Sequence, residues 1–322
     1  MKTIRKSLLA AGIAAAFSLA LADAHAQAAA APPASKSTVK QSAFASPEAA
    51  GSALAEAVRA KDPQKLLAIV GPGSGDWLFS GDPVTDANDW KKFLAAYDEK
   101  HSFDDKGARS VLQVGKDDWP FPAPLVKKDK QWTFDANAGR EEILNRRIGQ
   151  NELDTMQTLL AIVDAQREYA ASDADGNGFA DYARRFLSTP GKKDGLYWAT
   201  QAGQPESPLG PLIAVAATEG YGKKVADKPP QQREAHHGYY YKIVTSQGKD
   251  AAGGAYDYMV GDKLLGGFAV VAWPARYRVS GVTTFIVNHD GVVYEKDLGA
   301  NGAAVAAAMT RYNPDTSWRK AQ

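Results

Sequence analysis

The stretch "AGREEILNRRIGQNELDTMQTLLAIVDAQREYAAS", residues 138–172, carries a strong helical pattern. Within it Leu153, Met156, Leu160 and Val163 follow the i, i+3, i+7, i+10 spacing of one helix face. Glu142 and Arg146 stand four residues apart, the spacing of an ion pair on a helix. The pattern predicts a long amphipathic helix, and its apolar stripe needs a large apolar partner.

That partner is expected from the strand-like segments further along the chain. They are "YYYKIV" (239–244), "GGFAVVAWP" (266–274), "TTFIVN" (283–288) and "GVVYEK" (291–296). The sequence "NHDG" between the last two favours a hairpin, because Asp-Gly tolerates positive φ. "ANGAAVAAAMTRY" (300–312) predicts a final helix. We therefore expect residues 139–322 to form a C-terminal α+β domain with the long helix packed on an antiparallel sheet.

The residues before the long helix predict a smaller domain. Helical patterns occur in "SPEAAGSALAEAVRAKD" (46–62), "DPQKLLAIVG" (62–71) and "DANDWKKFLAAYDEKH" (86–101). Strand patterns follow in "SVLQVG" (110–115), "APLVKK" (123–128) and "QWTFD" (131–135). Three helices followed by strands indicate an N-terminal α+β domain over residues 46–138, so the fold class is α+β throughout.

The N-terminus has the three parts of a secretory signal peptide. A basic start is followed by an apolar run from Leu8 to Ala22, and small residues occupy positions 24 and 26. We expect cleavage after Ala26, which removes residues 1–26; an uncleaved anchor is the alternative. Residues 27–45 are small, polar and proline-containing, which predicts a flexible spacer. The expected location is the periplasm or the exterior, with no membrane span after cleavage.

Composition excludes several classes of function. The chain has 38 Lys and Arg against 37 Asp and Glu, and loss of residues 1–26 changes the net charge from +1 to −1. A near-neutral chain has no global electrostatic reason to bind nucleic acid or anionic lipid. The absence of cysteine excludes disulfides, thiol catalysis and cysteine metal ligands.

The segment "SDADGNGFADYARRF", residues 172–186, begins as many calcium loops do. Calcium prefers oxygen ligands, and Gly178 stands at position 6, where such loops turn. The expected metal ligands are the side chains of Asp173, Asp175, Asn177 and Asp181 and the carbonyl of Phe179. Position 12 holds Arg184 instead of the bidentate Glu of an EF-hand. Two interpretations stay open, a weak calcium site and a turn built by Asx side chains without metal.

Other candidate residues have simpler explanations. His236 and His237 are adjacent before a strand, so we expect their rings to point to opposite faces, towards solvent. Ser74 in "GPGSGDW" does not match a nucleophile motif and is expected in a flexible loop. Four tryptophans of the N-terminal domain either form core or line a ligand cavity; they are Trp77, Trp90, Trp119 and Trp132.

Several motifs resemble one family across nearly the whole mature chain. They include "SPEAAGSAL", "WPFPAPLV", "FDANAGREEILNRRIGQNEL" and "GGFAVVAWPARY". They resemble a family of secreted bacterial proteins of unknown function, DUF2950. The resemblance implies a bacterial envelope protein and assigns no catalytic residue. The second half also resembles the globular heads of type IV pilins and pseudopilins. That resemblance implies a pilin-like fold, but the apolar polymerising half of a pilin helix is absent.

These observations favour a non-enzymatic module that binds or scaffolds other components of the envelope. Its partner is expected to be an envelope protein or a small molecule, and calcium at the acidic loop is the one candidate cofactor. The alternative is a periplasmic hydrolase with a pocket in the N-terminal domain. A cavity that buries Asp118 or His101 with a shifted pKa would favour the hydrolase. No catalytic residue is identified by sequence.

Overall fold

The computed structural model of the chain describes residues 40–201, 203–219, 221 and 235–321. The predicted signal peptide and residues 27–39 of the predicted spacer lie outside the described residues. The remaining spacer residues are attached to the first sheet, where Phe44 exchanges backbone hydrogen bonds of 2.9 and 2.8 Å with Trp132. The described residues belong to one compact unit, and the predicted division at residue 138 stays a prediction.

The helices of the described residues account for much of the first half. They are α1 (Pro47–Ala60), α2 (Pro63–Val70), α3 (Gly75–Leu78), α4 (Pro83–Glu99), α5 (Arg140–Ser172), α6 (Gly210–Glu219) and α7 (Gly302–Ala308). α1, α2 and α4 start in the same way, because Ser46, Asp62 and Asp82 accept hydrogen bonds from first-turn N–H groups and proline follows. This cap makes α4 begin at Pro83, before the predicted start at Asp86.

The strands form antiparallel sheets in both halves. They are β1 (His101–Lys106), β2 (Arg109–Val114), β3 (Trp119–Pro120), β4 (Leu125–Lys128), β5 (Gln131–Phe134), β6 (Tyr239–Val244), β7 (Ser246–Gln247), β8 (Tyr256–Asp257), β9 (Met259–Val260), β10 (Lys263–Leu264), β11 (Ala269–Pro274), β12 (Thr284–Asn288), β13 (Tyr294–Lys296) and β14 (Arg319–Lys320). The first sheet has the order β1-β2-β4-β5, with β3 also paired to β2. The second has the order β14-β13-β12-β11-β6, and β7–β8 and β9–β10 form two small ribbons. The predicted α+β class is confirmed.

Strand β1 corrects the predicted end of the third helix. His101 was expected to end that helix, but α4 ends at Glu99 and His101 begins β1. The strand is polar, and it forms because it pairs with β2 from His101–Val114 to Lys106–Arg109 across a two-residue turn. Gly107, with φ of +72°, supplies the left-handed conformation that the turn needs.

The long helix packs on the second sheet, as predicted. On one face of the sheet, Val270 and Phe285 contact the core that includes Leu159 of α5. On the other face, Val271 joins a separate core that includes Ala306 of α7. Neighbouring strand residues therefore serve opposite cores, and the sheet is covered by a helix on each side.

The predicted apolar stripe of α5 was right for Val163 and Met156, which belong to or pack against the second core, and wrong for its other two residues. Leu153 is 52% exposed and Leu160 is 45% exposed, whereas Leu159 and Gln166 are fully buried. Gln166 enters the core because its side chain is satisfied: Nε2 donates to the Ala183 carbonyl at 2.8 Å and Oε1 accepts from Ala183 N at 2.8 Å. The buried face of α5 therefore includes polar residues, and a prediction based on the spacing of apolar residues alone does not identify it.

The first core lies between α1, α2, α4 and the first sheet. Leu54, Leu112 and Leu125 are fully buried there. Leu144 at the start of α5 and Val279 from the second half also belong to this core. Within the part of the chain that the structure describes, every helix is too short or too polar to cross a membrane.

Candidate functional site

A cavity of about 140 Å³ lies between α4, the start of α5 and the segment around β3. Its walls are largely aromatic, since the lining includes Trp77, Trp90, Trp119, Phe93 and Phe121. Three charged side chains also face it: Asp86, Asp89 and Arg147. Three of the four tryptophans singled out by sequence therefore line a cavity, and the fourth, Trp132, is buried beside Phe44.

Helix α4 forms one wall of the cavity, because four of its lining residues are spaced so that they lie on one helix face. Asp86, Asp89, Trp90 and Phe93 follow i, i+3, i+4, i+7, so they share one face. The opposite wall is fixed by Trp77, whose Nε1 donates to the Ala136 carbonyl at 3.0 Å. Trp119 of β3 forms the rim and is 49% exposed.

The charged groups of the cavity are partly removed from water. Both carboxylate oxygens of Asp86 accept from Ser80 N, at 3.0 and 3.1 Å. Burial raises the pKa of Asp86 and of Asp89, and burial lowers the pKa of Arg147. Arg147 donates to the carbonyls of Trp77 at 2.6 Å and Asp76 at 3.2 Å. Asp86 is half-buried, whereas Asp89 lies at the exposed edge, where its carboxylate is 3.8 Å from Lys92 Nζ.

The residues expected to mark a hydrolase pocket lie elsewhere. The His101 ring stacks on Tyr97 at 4.0 Å between centroids, and Asp118 pairs with Lys100 at 2.7 Å. Ser74 is buried, and its Oγ donates to the Gly71 carbonyl at 2.6 Å. Ser74 therefore does not lie in a flexible loop, since it closes a 3₁₀ turn (Pro72–Ser74).

The acidic loop gathers its polar side chains around Asn177. The Asn177 Nδ2 group donates to Asp175 Oδ2 at 2.7 Å and to Asp181 Oδ1 at 2.9 Å. Asp173 Oδ1 accepts from Asn177 N at 2.9 Å, and Phe179 N donates to Asn177 Oδ1 at 2.9 Å. These bonds are those of an Asx-built turn. Hydrogen bonds link the four expected side-chain ligands around Asn177, and calcium binding by this loop stays a prediction.

The two adjacent histidines form a tight turn, His236–Tyr239, which we call the double-histidine turn. His236 N donates to the Tyr239 carbonyl at 2.9 Å, and Tyr239 N donates to the His236 carbonyl at 3.1 Å. Both central residues have positive φ, +50° at His237 and +72° at Gly238, as in a type I′ turn.

The prediction that these rings point to opposite faces was therefore wrong. It assumed a strand, whereas the turn places the two ring centroids 4.2 Å apart. The rings are half-buried and do not simply face solvent. Burial, and then the neighbouring His237, lowers the pKa of His236 to about 4, so this imidazole is neutral at pH 7.

Asp82 joins the start of α4 to the double-histidine turn. It is 1% exposed, and its Oδ1 caps α4 by accepting from Val84 N at 3.0 Å and Thr85 N at 3.2 Å. Its Oδ2 accepts from Tyr221 Oη at 2.6 Å and from Gly238 N at 3.2 Å. Burial, and then the bond to Asp82, raises the pKa of Tyr221, so its hydroxyl remains a donor. One carboxylate thereby fixes three separate segments.

Comparison with known families identifies the chain. The family model described as "Protein of unknown function (DUF2950)" matches residues 41–321. The chain belongs to the DUF2950 family. The resemblance drawn from the sequence motifs is thereby confirmed. No curated protein and no solved structure matches the chain, and the resemblance to pilin heads stays a prediction.

In this DUF2950 chain, sequence reasoning missed the charged residues of the cavity and the clustering of the histidines. Asp86 and Asp89 precede Trp90 and Phe93 at helical spacing, and that signal was available in the sequence. Arg147 had no such signal, because it reaches the cavity from α5. The sequence "HHG" was a sign of the turn, since His is enriched at positive φ and Gly tolerates it.

Proposed function

We propose that the mature protein is an exported, non-enzymatic binding protein whose aromatic cavity takes a small organic cation. The observation that carries this proposal is the placing of the half-buried Asp86 carboxylate, with Asp89 at the edge, among three tryptophan rings. Export is supported by the basic, apolar and small residues that open the chain. Intact mass of the exported protein should correspond to a first residue of Gln27.

A cation suits this cavity for two physical reasons. The face of an aromatic ring is electrically negative, and a cation over it gains about 0.5–2 kcal/mol. A carboxylate that has lost water without gaining a full cationic partner also gains from a bound positive charge. The Arg147 guanidinium directs N–H groups at two backbone carbonyls, and no direct ion pair between it and Asp86 is formed among the described residues.

The size of the cavity limits the ligand. Its volume of about 140 Å³ is well below the roughly 300–1,000 Å³ of sites for drug-sized ligands. A quaternary ammonium or a primary amine with a short carbon chain is of the right size. Trp119 at the rim is half-exposed, which leaves an entrance for such a group.

The hydrolase alternative keeps one supporting observation. Carboxyl groups with a raised pKa in a cleft are typical of general acids, and Asp86 and Asp89 have that property. Binding is favoured because the Ser80 N–H donates to both oxygens of Asp86, an interaction that opposes the effect of burial and favours the ionised carboxylate. A general acid would need a hydrogen bond that favours its protonated form.

Choline is expected to bind with a dissociation constant on the order of 0.1–1 mM, which is about −4 to −5.5 kcal/mol. Dimethylbutanol, its uncharged isostere, should bind at least about tenfold more weakly, because it lacks the charge that the rings and carboxylates attract. Asp86→Asn and Trp119→Ala should each weaken choline binding about tenfold. Isothermal titration calorimetry of the mature chain measures all four values.

Asp98→Asn is the matched control for Asp86→Asn. Asp98 lies on the same helix, but it faces Arg59 on the surface, so choline affinity should not change. Affinity should fall as the pH is lowered through the raised pKa values of Asp86 and Asp89, which lie above the ordinary 3.8. The sign follows because only the ionised carboxyl attracts the cation. Equal binding of choline and dimethylbutanol would contradict the proposal.

We further propose that the acidic loop binds calcium weakly and orders the end of α5. The convergence of Asp175 and Asp181 on Asn177 supports this, since rotation of the Asn177 amide would present oxygen instead of nitrogen. At about 1 mM calcium and a dissociation constant of about 0.1 mM, binding stabilises the fold by only about 1.4 kcal/mol. The melting temperature should therefore rise by a few degrees with calcium, less with magnesium, and not at all in Asp175→Ala. If a calorimetric titration with millimolar calcium releases or absorbs no heat, the loop does not bind calcium and is an Asx-built turn without metal.

A further inference from the structure

We propose that Glu219, His236 and His237 form a binding site for a divalent transition-metal cation, with Zn²⁺ as the expected ion. One ligand atom from each of the three side chains lies within 4.8 Å of the other two. The site combines the end of α6 with the double-histidine turn, and it is separate from the aromatic cavity and from the acidic loop.

The donor atoms are close to the spacing that zinc requires. Ligands at about 2.0–2.1 Å from a tetrahedral Zn²⁺ are roughly 3.3 Å from one another. Glu219 Oε2 is 3.6 Å from His237 Nε2, so this pair is already near that spacing. The other separations are at most 4.8 Å, so they would have to shrink by no more than about 1.5 Å, which a small side-chain rotation provides.

Asp154 supports the same arrangement from the other side of the His237 ring. Its Oδ2 is 3.7 Å from His237 Nδ1, while His237 Nε2 faces Glu219. A carboxylate next to the non-ligating ring nitrogen is the usual partner of a metal-bound histidine, because it fixes the tautomer and the ring orientation. We assign Asp154 as a positioning residue that leaves Nε2 free to bind the metal.

The Glu219 carboxylate is a second, independent observation that favours a cation at this place. Its Oε2 is buried and accepts no hydrogen bond from any described residue, which is costly for an ionised group. The rest of Glu219 is held in place, since its carbonyl accepts from Asn88 Nδ2 at 2.8 Å. The side chain as a whole is 35% exposed, so an ion can reach it from solvent.

The backbone of the turn holds the two rings together before any metal binds. His237 has φ of +50°, a left-handed conformation that is unfavourable for a residue with a Cβ. The surroundings maintain it, because Gly238 N donates to the buried Asp82 and His237 N donates to Tyr221 Oη at 3.3 Å. Strain that the fold maintains in this way is typical of functional sites.

The ligand types select the class of metal. Two imidazole nitrogens and one carboxylate oxygen suit Zn²⁺ and neighbouring late transition metals, whereas calcium and magnesium prefer oxygen alone. Three protein ligands leave at least one coordination position for water or a bound molecule. The site is therefore of the open type, unlike a closed four-ligand structural site.

The test is calorimetric titration of ZnCl₂ into the full mature chain, purified without a polyhistidine tag and stripped of metal. We expect one site with a dissociation constant on the order of 1 µM. Glu219→Gln and His237→Asn should each weaken it by at least about tenfold, and asparagine tolerates the positive φ of the turn. Asp154→Asn should weaken it about tenfold without removing a ligand. Bound Co²⁺ should give the strong visible absorption of a four-coordinate site. That absorption should disappear in His237→Asn.

His101→Ala is the matched control, because His101 is exposed and remote from the turn, and zinc affinity should stay unchanged. Asp175→Ala should also leave zinc binding unchanged, which separates this site from the acidic loop. Melting temperatures without metal should show that Glu219→Gln and His237→Asn remain folded. The proposal is overturned if zinc binds more weakly than about 100 µM, if both variants bind as the parent does, or if His101→Ala loses as much affinity.

Discussion

Alanine in place of Gly238 is expected to lower the free energy of unfolding by about 2–5 kcal/mol. Gly238 has φ of +72°, and that conformation costs a residue with a Cβ about 1–2 kcal/mol. An added Cβ would also lie 2.6 Å from Asn151 Nδ2 and 2.9 Å from Ser280 Cβ, and such overpacking costs about 1–3 kcal/mol. Asn151 cannot move aside freely, since it is buried and its Nδ2 donates to the Ser280 carbonyl at 2.8 Å.

Gly107→Ala separates the two contributions. Gly107 has the same φ of +72°, but no heavy atom lies within 4 Å of the position of its Cβ. Only the conformational cost of about 1–2 kcal/mol should appear there. Denaturant unfolding with unchanged m-values measures both losses. Equal losses in the two variants would show that Asn151 and Ser280 give way, and the packing argument for Gly238 would be wrong.

The start of a helix was predictable where one short signal decides it. Ser46-Pro47 and Asp62-Pro63 each place a capping side chain before a proline, and α1 and α2 begin there. Asp82-Pro83 carries the same signal for α4, although the apolar repeat alone placed the start later. These signals act within four residues of the chain, so no tertiary contact is needed to interpret them.

The rotation of α5 and the strand β1 were not predictable in this way. Gln166 is buried because it exchanges two hydrogen bonds with Ala183, seventeen residues away, which no local pattern contains. Leu160 is exposed although it fits the apolar repeat, because the sheet contacts the next face of the helix. The polar strand β1 forms because of its pairing with β2 and not because of its own side chains.

The candidate sites follow the same division. The tryptophans and the acidic loop could be identified from sequence, because each is recognised by residue type and local spacing alone. The partnership of Arg147 with Asp86, and of Glu219 with His237, joins residues from separate elements. The sequence shows which side chains are present. Which of them lie close together depends on how α4, α5 and α6 pack, and that could not be predicted from the sequence.

Asp82→Ala is expected to lower the free energy of unfolding by about 3–5 kcal/mol. Loss of the helix cap accounts for about 1 kcal/mol, since Val84 N and Thr85 N lose their acceptor. The larger part comes from Gly238 N and Tyr221 Oη, because each buried donor left without its charged acceptor costs about 1–3 kcal/mol. Tyr221 Oη keeps a hydrogen bond with Thr85 Oγ1 at 3.0 Å, so the part of the stability loss that comes from Tyr221 is smaller.

Asp62→Ala isolates the cap. Asp62 caps α2 with the same pair of bonds, to Gln64 N and Lys65 N at 3.0 Å each, but it makes them at the exposed surface. Its removal should cost only about 1 kcal/mol, and the difference between the two variants measures what Asp82 contributes across the junction. Asp82→Asn should fall between them, because its amide can serve the cap through oxygen but presents a donor to Gly238 N. If Asp82→Ala and Asp62→Ala lose the same stability, then the bonds to Tyr221 and Gly238 contribute nothing, and the double-histidine turn is held by other contacts.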